Sequence, residues 1–152
     1  MDKYNFQNCQ KIVVVSKDEN EVLLAKRKKE ADYDGVFSFT GGKMETSDPS
    51  IIEGLKREKN EEVGKDFKIK IHPKYCINVL FTKKDGNRII LPHYYAIYVK
   101  GDIKLSEEYS EYKWVELNKL DSFEPKIPNI PEIIKELQKL RKILTKDDFV
   151  II

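Results

Sequence analysis

Apolar and polar positions change period along this chain, and each change marks an element. The β-branched run Lys11 to Val15 reads as a buried strand, and the turn-prone Lys17-Asp18-Glu19-Asn20 leads to Glu21 to Lys26 as its hairpin partner. Lys28 to Gly35 is polar and turn-like, Val36-Phe37-Ser38-Phe39 alternates briefly, and Gly41-Gly42 breaks the pattern where a pocket mouth would fit. Pro49 suits a first helical position with Asp48 as N-cap, and Gly64 suits a C-terminal cap, which predicts a helix from Pro49 to Val63. Ile69 to Ile71 and Tyr75 to Thr82 read as strands. The hairpin signal Lys84-Asp85-Gly86-Asn87 then introduces Arg88 to Leu91 and His93 to Lys100, and these segments together predict a meander. Tyr112 to Leu117 is a further strand. Pro125, Pro128 and Pro131 punctuate a loop before Glu132 to Leu144, where Ile133, Ile134, Leu137, Leu140 and Leu144 keep helical spacing. Phe149 to Ile152 is apolar enough to dock on the body of the protein.

A chain of 152 residues suits one domain, taken here as 1–152, with a core large enough to need no staples. The formal charge of +2 gives no overall field for nucleic acid or an anionic membrane, so any anion site must be local. The two cysteines, Cys9 and Cys76, form no CxxC pair, and a reducing, cytoplasmic setting is expected. The start MDKYNFQN lacks the pattern of an export signal, and no apolar run is long enough to span a bilayer.

The segment Gly41 to Gly64 carries the candidate chemistry. At about 100° per residue, Ile51, Ile52, Leu55 and Val63 fall on one stripe of its helix, and Glu58, Glu61 and Glu62 fill a neighbouring sector. Carboxylates so gathered repel one another unless a divalent cation, Mg2+ or Mn2+, is held between them, and Arg57 can neutralise part of their charge. The rival reading of KREKNEE is a solvated face with i to i+4 pairs. Gly41-Gly42 favours the site, because glycines upstream of the helix allow close backbone approach by phosphate or metal. Arg27, at the end of the second strand, is the first candidate for gripping phosphates, and Lys43 the second. Most of Tyr94, Tyr95 and Tyr98 belong to the core, and the spacing does not select which of them, or of Phe37 and Trp114, would stack on a base. His72 and His93 are each isolated from other ligands and read as structural.

Gly42, Arg57-Glu58, Glu61-Glu62 and Gly64 match the Nudix box, G-x5-E-x7-R-E-U-x-E-E-x-G-U with U aliphatic, and the segment resembles that family's signature. Phe37-Ser38-Phe39-Thr40-Gly41-Gly42 is similar to the strand and turn that lead into the box. Asp48 stands where the box has its first glutamate, with one additional residue between it and Arg57, so that a shorter side chain and a longer loop must compensate for each other. Lys59 and Lys65 replace aliphatic residues, and their stems are expected to cover apolar surface while the ammonium reaches water.

The resemblance covers nearly the whole chain and implies an α/β (α+β) fold, an α/β/α sandwich with a mixed sheet between helices. It implies hydrolysis of a diphosphate linked to another moiety, commonly a nucleoside, with Mg2+ or Mn2+ and an attacking water. Carried across, Glu58 and Glu62 are the chief metal ligands, Glu61 a further direct or water-mediated one, the Gly41 carbonyl another, and Arg57 orients the glutamates. The general base in this family is a box glutamate, here Glu58 or Glu61, or a carboxylate from a later loop; Glu107, Glu108 and Glu111 are placed for the latter, and Glu108 is preferred. The family's markers for ADP-ribose and dinucleoside polyphosphates are missing from Val79 to Lys83, which favours a nucleoside triphosphate pyrophosphatase releasing a monophosphate and pyrophosphate. The alternatives are a hydrolase of another nucleotide derivative and a Nudix-like module that binds a nucleotide without cutting it. The expected partner is a small nucleotide, with neither nucleic acid nor membrane.

Overall fold

The computed structural model describes residues 3–152; Met1 and Asp2, part of the start read above, lie outside the described residues. Nine strands form one mixed sheet: β1 (Gln7–Val15), β2 (Glu21–Arg27), β3 (Phe37–Ser38), β4 (Thr40–Lys43), β5 (Lys68–Ile71), β6 (Ile77–Thr82), β7 (Arg88–Lys100), β8 (Tyr109–Glu116) and β9 (Val150–Ile151). Two helices, α1 (Ile51–Val63) and α2 (Ile130–Arg141), cover opposite faces. The order β3-β2-β1-β7-β5-β9 has β1 and β7 parallel at its centre, with β4 on β1, β6 on β7 and β8 on β2. This is the sandwich that the resemblance implied. Among the described residues no helix is long and apolar enough to cross a membrane.

Strand alternation sorts side chains into two cores. Val13, Val15, Val22, Leu24, Tyr95 and Ile97 pack with Ile133, Ile134 and Leu137 of α2. Their neighbours Ile12, Val14, Leu23, Tyr94 and Ala96 pack with Leu55 and Val63 of α1. Both faces of the central strands are covered, which is why β1 and β2 carry continuous apolar runs. Each fully buried aliphatic side chain in these layers contributes roughly 1.5–3 kcal/mol.

Several expected boundaries move. Arg88 to Lys100 is one strand, because the β1 ladder pairs at Ile90 and resumes at His93, passing over Pro92, which has no N–H to donate. The meander is not simple: β5 pairs antiparallel with the second half of β7, not with β6, which pairs with the first half. Helix α1 is capped by Ser50, whose side chain accepts from the Glu53 N–H at 3.2 Å, and not by Asp48. Ile51 is 43% exposed and leaves the apolar stripe to Leu55 and Val63. Gly64 ends α1 as expected, at φ +96°, with its N–H donating to the Asn60 carbonyl. Helix α2 starts two residues earlier than expected and stops at Arg141, with Leu144 buried beyond it. The C-terminal segment docks as β9 on β5, and Ile152 is buried in the α1-side core.

Lys59 departs most from expectation. Its ammonium does not reach water: the residue is 2% exposed, and Nζ donates to the Gly64 carbonyl at 3.2 Å and the Phe67 carbonyl at 2.9 Å. It ties the end of α1 to the turn leading into β5, and burial pulls its pKa down to about 8. Replacing Lys59 by Met keeps the apolar stem and leaves two carbonyls without this donor. The expected loss is about 1–3 kcal/mol of unfolding free energy in urea titration, whereas an ammonium of no structural value would give no measurable loss.

Candidate active site

Two glycines let helix α1 lean its carboxylates against β4. Gly41 has φ +140°, and a Cβ there would lie 1.9 Å from the Gln10 carbonyl oxygen of β1. At Gly42 a Cβ would fall 2.1 Å from Glu58 Oε2. Side chains at these positions would push strand and helix apart, so the close approach depends on their absence.

Against this strand Glu58 and Glu62 are buried, at 5% and 2% exposure. Glu62 Oε2 accepts from the Gly41 N–H at 2.9 Å and from the Tyr109 hydroxyl at 2.5 Å. Burial outweighs these bonds and the nearby charge of Lys11, and pushes the Glu62 carboxyl up to about 7. Glu58 is also raised by burial, opposed by Arg57, whose Nη1 donates to Glu58 Oε1 at 2.9 Å. Among the described residues no donor meets Glu58 Oε2 or Glu62 Oε1.

Arg57 is the hub. Nε and Nη2 form a fork on Asp48 at 2.8 and 2.9 Å, and Nη2 also donates to the Lys43 carbonyl at 3.2 Å. The one-residue-longer loop therefore offsets the methylene that Asp48 lacks. The same carboxylate accepts from the Glu45 N–H at 2.8 Å, which closes the turn at the loop's tip. Arg57's hydrogen bonds hold the Asp48 carboxyl down to about 2.

The three helix glutamates are not equivalent. Glu61 is exposed and turned toward Arg57, at 3.3 and 3.4 Å. Among the described residues no three histidine, cysteine or acidic side chains are already gathered as a metal cage. The donor set nonetheless suits a hard cation: two desolvated carboxylates, each with one oxygen free of protein donors, and a third whose hold on Arg57 is long.

Of the loop acids, Glu108 is near enough for its charge to reach the site: burial raises Glu58, Glu62 and Tyr109, and the negative charge of Glu108 adds a little to each. Its backbone carbonyl accepts from the Lys28 N–H at 3.1 Å, fixing this loop to the segment after β2. Glu107 is exposed before it, and Glu111 is exposed in β8 opposite Lys26.

A cavity of about 370 Å³ opens on the α2 side of the sheet, and its wall includes Lys11, whose β1 position pairs with Gly41. Arg27 and Lys43 both line it. Arg27 is partly engaged, with Nη2 at 3.4 Å from the Asp32 carbonyl and 3.3 Å from Glu30, while its Nε is buried without a partner. The aromatic walls are Tyr33, Phe39, Phe81 and His93, none of them among the stacking candidates named from sequence. Phe37 is 1% exposed in the α2-side core, and Trp114 packs edge-on against Tyr98 elsewhere. The structural reading of the histidines fits: His72 is 0% exposed between the Tyr75 and Phe149 rings, and His93 Nδ1 lies 2.8 Å from the Leu91 carbonyl.

Two site residues escaped the sequence reading. Tyr109 opens β8 three residues before the expected strand start. Lys11 begins a valine-rich run yet is 9% exposed and lines the cavity. A signal for Lys11 was available, since it shares a strand face with the buried Val13 and Val15.

The sequence profile of the NUDIX domain matches residues 10–137. Among solved structures, a MutT protein from Methanosarcina mazei Go1 is similar at 25% identity and TM-score 0.73, covering 92% of this chain and 98% of that one. A NUDIX-family hydrolase from Clostridium perfringens shares the fold at 20% identity and TM-score 0.71, covering 90% and 99%. The U8 snoRNA-decapping enzyme of Xenopus laevis is 32% identical over 65 residues, 34% of this chain and 31% of that protein, so the match spans about a third of that relative's length. With the box carboxylates, their arginine and the glycine strand in one place, and a domain match across most of the chain, this protein belongs to the Nudix family and is a hydrolase.

Proposed function

We propose that this hydrolase is a divalent-metal-dependent nucleoside triphosphate pyrophosphatase that releases a nucleoside monophosphate and pyrophosphate. The observation that carries the reading is the pair Glu58 and Glu62, buried with one oxygen each free of protein donors, in a protein with a cavity of about 370 Å³ lined by Arg27 and Lys43. That volume lies within the usual range for small-ligand pockets, roughly 300–1,000 Å³.

Nudix hydrolases generally use a divalent metal, and here Glu58 and Glu62, with Glu61 and the Gly41 carbonyl, would hold Mg2+ or Mn2+. When bound, it supplies Lewis acidity at the phosphoryl oxygens and lowers the pKa of the attacking water. The chain's own groups do the rest. Arg57 fixes the direction of Glu58 while Asp48 fixes Arg57, so that no reorganisation is needed as charge develops. Arg27 and Lys43 neutralise the phosphates, and the exposed Glu108 takes the proton from the water.

The substrate is tested with a panel of nucleoside triphosphates, ADP-ribose and dinucleoside polyphosphates with Mg2+, reading phosphate and pyrophosphate. Preferential release of pyrophosphate from triphosphates is expected, and preferential cleavage of either other class would replace this reading. Glu62→Gln should lower turnover at least about 100-fold with an unchanged circular-dichroism spectrum; undiminished turnover would remove the metal assignment. Asp48→Asn, which weakens the fork on Arg57, should cost about 10- to 100-fold in activity or metal affinity. Equal activity in that variant would show that Arg57 needs no anchor.

Metal affinity should depend on pH. Below about 7 the Glu62 carboxyl keeps a proton that a cation must displace. Affinity for Mn2+, followed by calorimetry, should therefore fall about tenfold per pH unit below 7 and level off above it. In the metal-free protein the same raised carboxyl contributes stability that is full below the ordinary carboxylate range and is lost as pH rises to about 7. A flat affinity profile from pH 5 to 8 would exclude Glu62 as a ligand.

A further inference from the structure

The cavity beside β1 is lined by a lysine whose ammonium no protein group accepts from. Lys11 is 9% exposed and shares the cavity wall with Cys9, Phe39, Leu91 and His93. Among the described residues no hydrogen bond or ion pair reaches its Nζ. Glu62 feels its charge, but no hydrogen bond or ion pair joins the two, and the Glu62 bonds to Gly41 and Tyr109 both fall on Oε2. His93 offers it no anion. The imidazole is held neutral by burial, its pKa drawn down to about 4, with Nδ1 against the Leu91 carbonyl and the ring edge-on to Phe39 at 5.7 Å.

A lysine has three donors and no acceptor, and here the stem is buried in the strand while the ammonium faces the cavity with its donors unclaimed by protein. A strand position of this kind, opening on a cavity, is suited to an acceptor brought by a ligand. The surroundings narrow what that acceptor is. Val79, Phe81 and Leu91 give the cavity apolar walls fit for a flat ring. A phosphate at Lys11 would have to shed its water between those walls, whereas the exposed Lys43 and half-buried Arg27 meet phosphates at less cost. A neutral ring oxygen suits an ammonium between apolar walls better.

We propose that Lys11 reads the base of the substrate, donating to a ring carbonyl, so that the enzyme prefers guanine and uracil nucleotides over adenine and cytosine nucleotides. Guanine and uracil present a carbonyl oxygen where adenine and cytosine present an amino group. An amino group facing the ammonium sets donor against donor and leaves both unpaired, which separates the two classes by roughly 10- to 100-fold. This inference rests on the nucleoside triphosphate reading of the site.

The test is the ratio of kcat/KM for GTP over ATP and for UTP over CTP, with Mg2+, in the wild type and in Lys11→Met and Lys11→Gln. Ratios taken within one sample do not depend on the fraction of protein that is folded. The wild-type ratios should be at least about 10. They should fall toward 1 in Lys11→Met and in Lys11→Gln, whose amide can either donate to a carbonyl or accept from an amino group. Wild-type ratios near 1 would overturn the inference. So would variants that keep the wild-type ratios while inhibition by tripolyphosphate weakens, since Lys11 would then serve the phosphates. Calorimetry of GMP and AMP binding to the wild-type protein separates the two readings. GMP bound at least about tenfold tighter, with no triphosphate hydrolysed, would remove the triphosphatase reading and keep the role of Lys11. Hydrolysis of all four triphosphates at equal kcat/KM would do the reverse.

Discussion

Glu58 and Glu62 keep their carboxylates in the protein interior, and the surrounding structure is arranged around the cost of that burial. An isolated buried carboxylate loses several kcal/mol of hydration, and its usual escape is to bind a proton. The raised pKa values of both residues show the pressure in that direction. Three local devices oppose it: the Gly41 N–H and the Tyr109 hydroxyl on Glu62, and the Arg57 guanidinium on Glu58. None saturates its carboxylate. The oxygens left free are poorly solvated and strongly basic for acids, a state that a hard cation relieves better than any side chain present. The glycines of β4 belong to the same constraint, because a Cβ at Gly42 would occupy the place of Glu58 Oε2.

Arg57 shows how such a site tolerates drift in its own signature. What the guanidinium requires is a planar pair of oxygens at a fixed distance, not a glutamate at a fixed position. Asp48 is one methylene shorter than glutamate, and the loop that carries it is one residue longer. The result is a fork at 2.8 and 2.9 Å. That loop is held by the carboxylate itself, through the Glu45 N–H, so the change of residue and the change of length act together. One consequence reaches the helix: since Asp48 is committed to Arg57, capping passes to Ser50 and α1 starts later than the Asp-Pro pair suggested.

What was legible in the sequence was whatever depends on near neighbours. The β1–β2 hairpin, the turn before β7, the glycine end of α1 and the common face of Glu58 and Glu62 all follow from local period and turn chemistry. The misread features have causes distant along the chain. Lys59 looked like a snorkelling lysine because its acceptors, Gly64 and Phe67, exist only after the chain turns back past the helix end. Pro92 looked like a strand break because the gap it occupies in the β1 ladder is a property of the pairing. The attachment of β5 to the far half of β7, and of β9 to β5, is likewise a choice among apolar edges that periodicity leaves open. Lys11 hid in a hydrophobic run, where a single charge reads as an interruption until the cavity beside it is seen.

β1 joins the two sides of this site. Its alternation sends Ile12 and Val14 to the core under α1 and Val13 and Val15 to the core under α2, while Lys11 lines the cavity. Its pairing with β4 sets Lys11 opposite Gly41, the residue whose N–H holds Glu62. The Lys11 ammonium and the buried carboxylate are thus tied to one strand pair, with fixed backbone between them. The glycine pair therefore acts twice: Gly42 admits the Glu58 carboxylate, and Gly41 lets β4 close on β1 at the Gln10 carbonyl. A side chain there would disturb both, so the geometry that binds and the geometry that reacts cannot vary independently at this point of the fold.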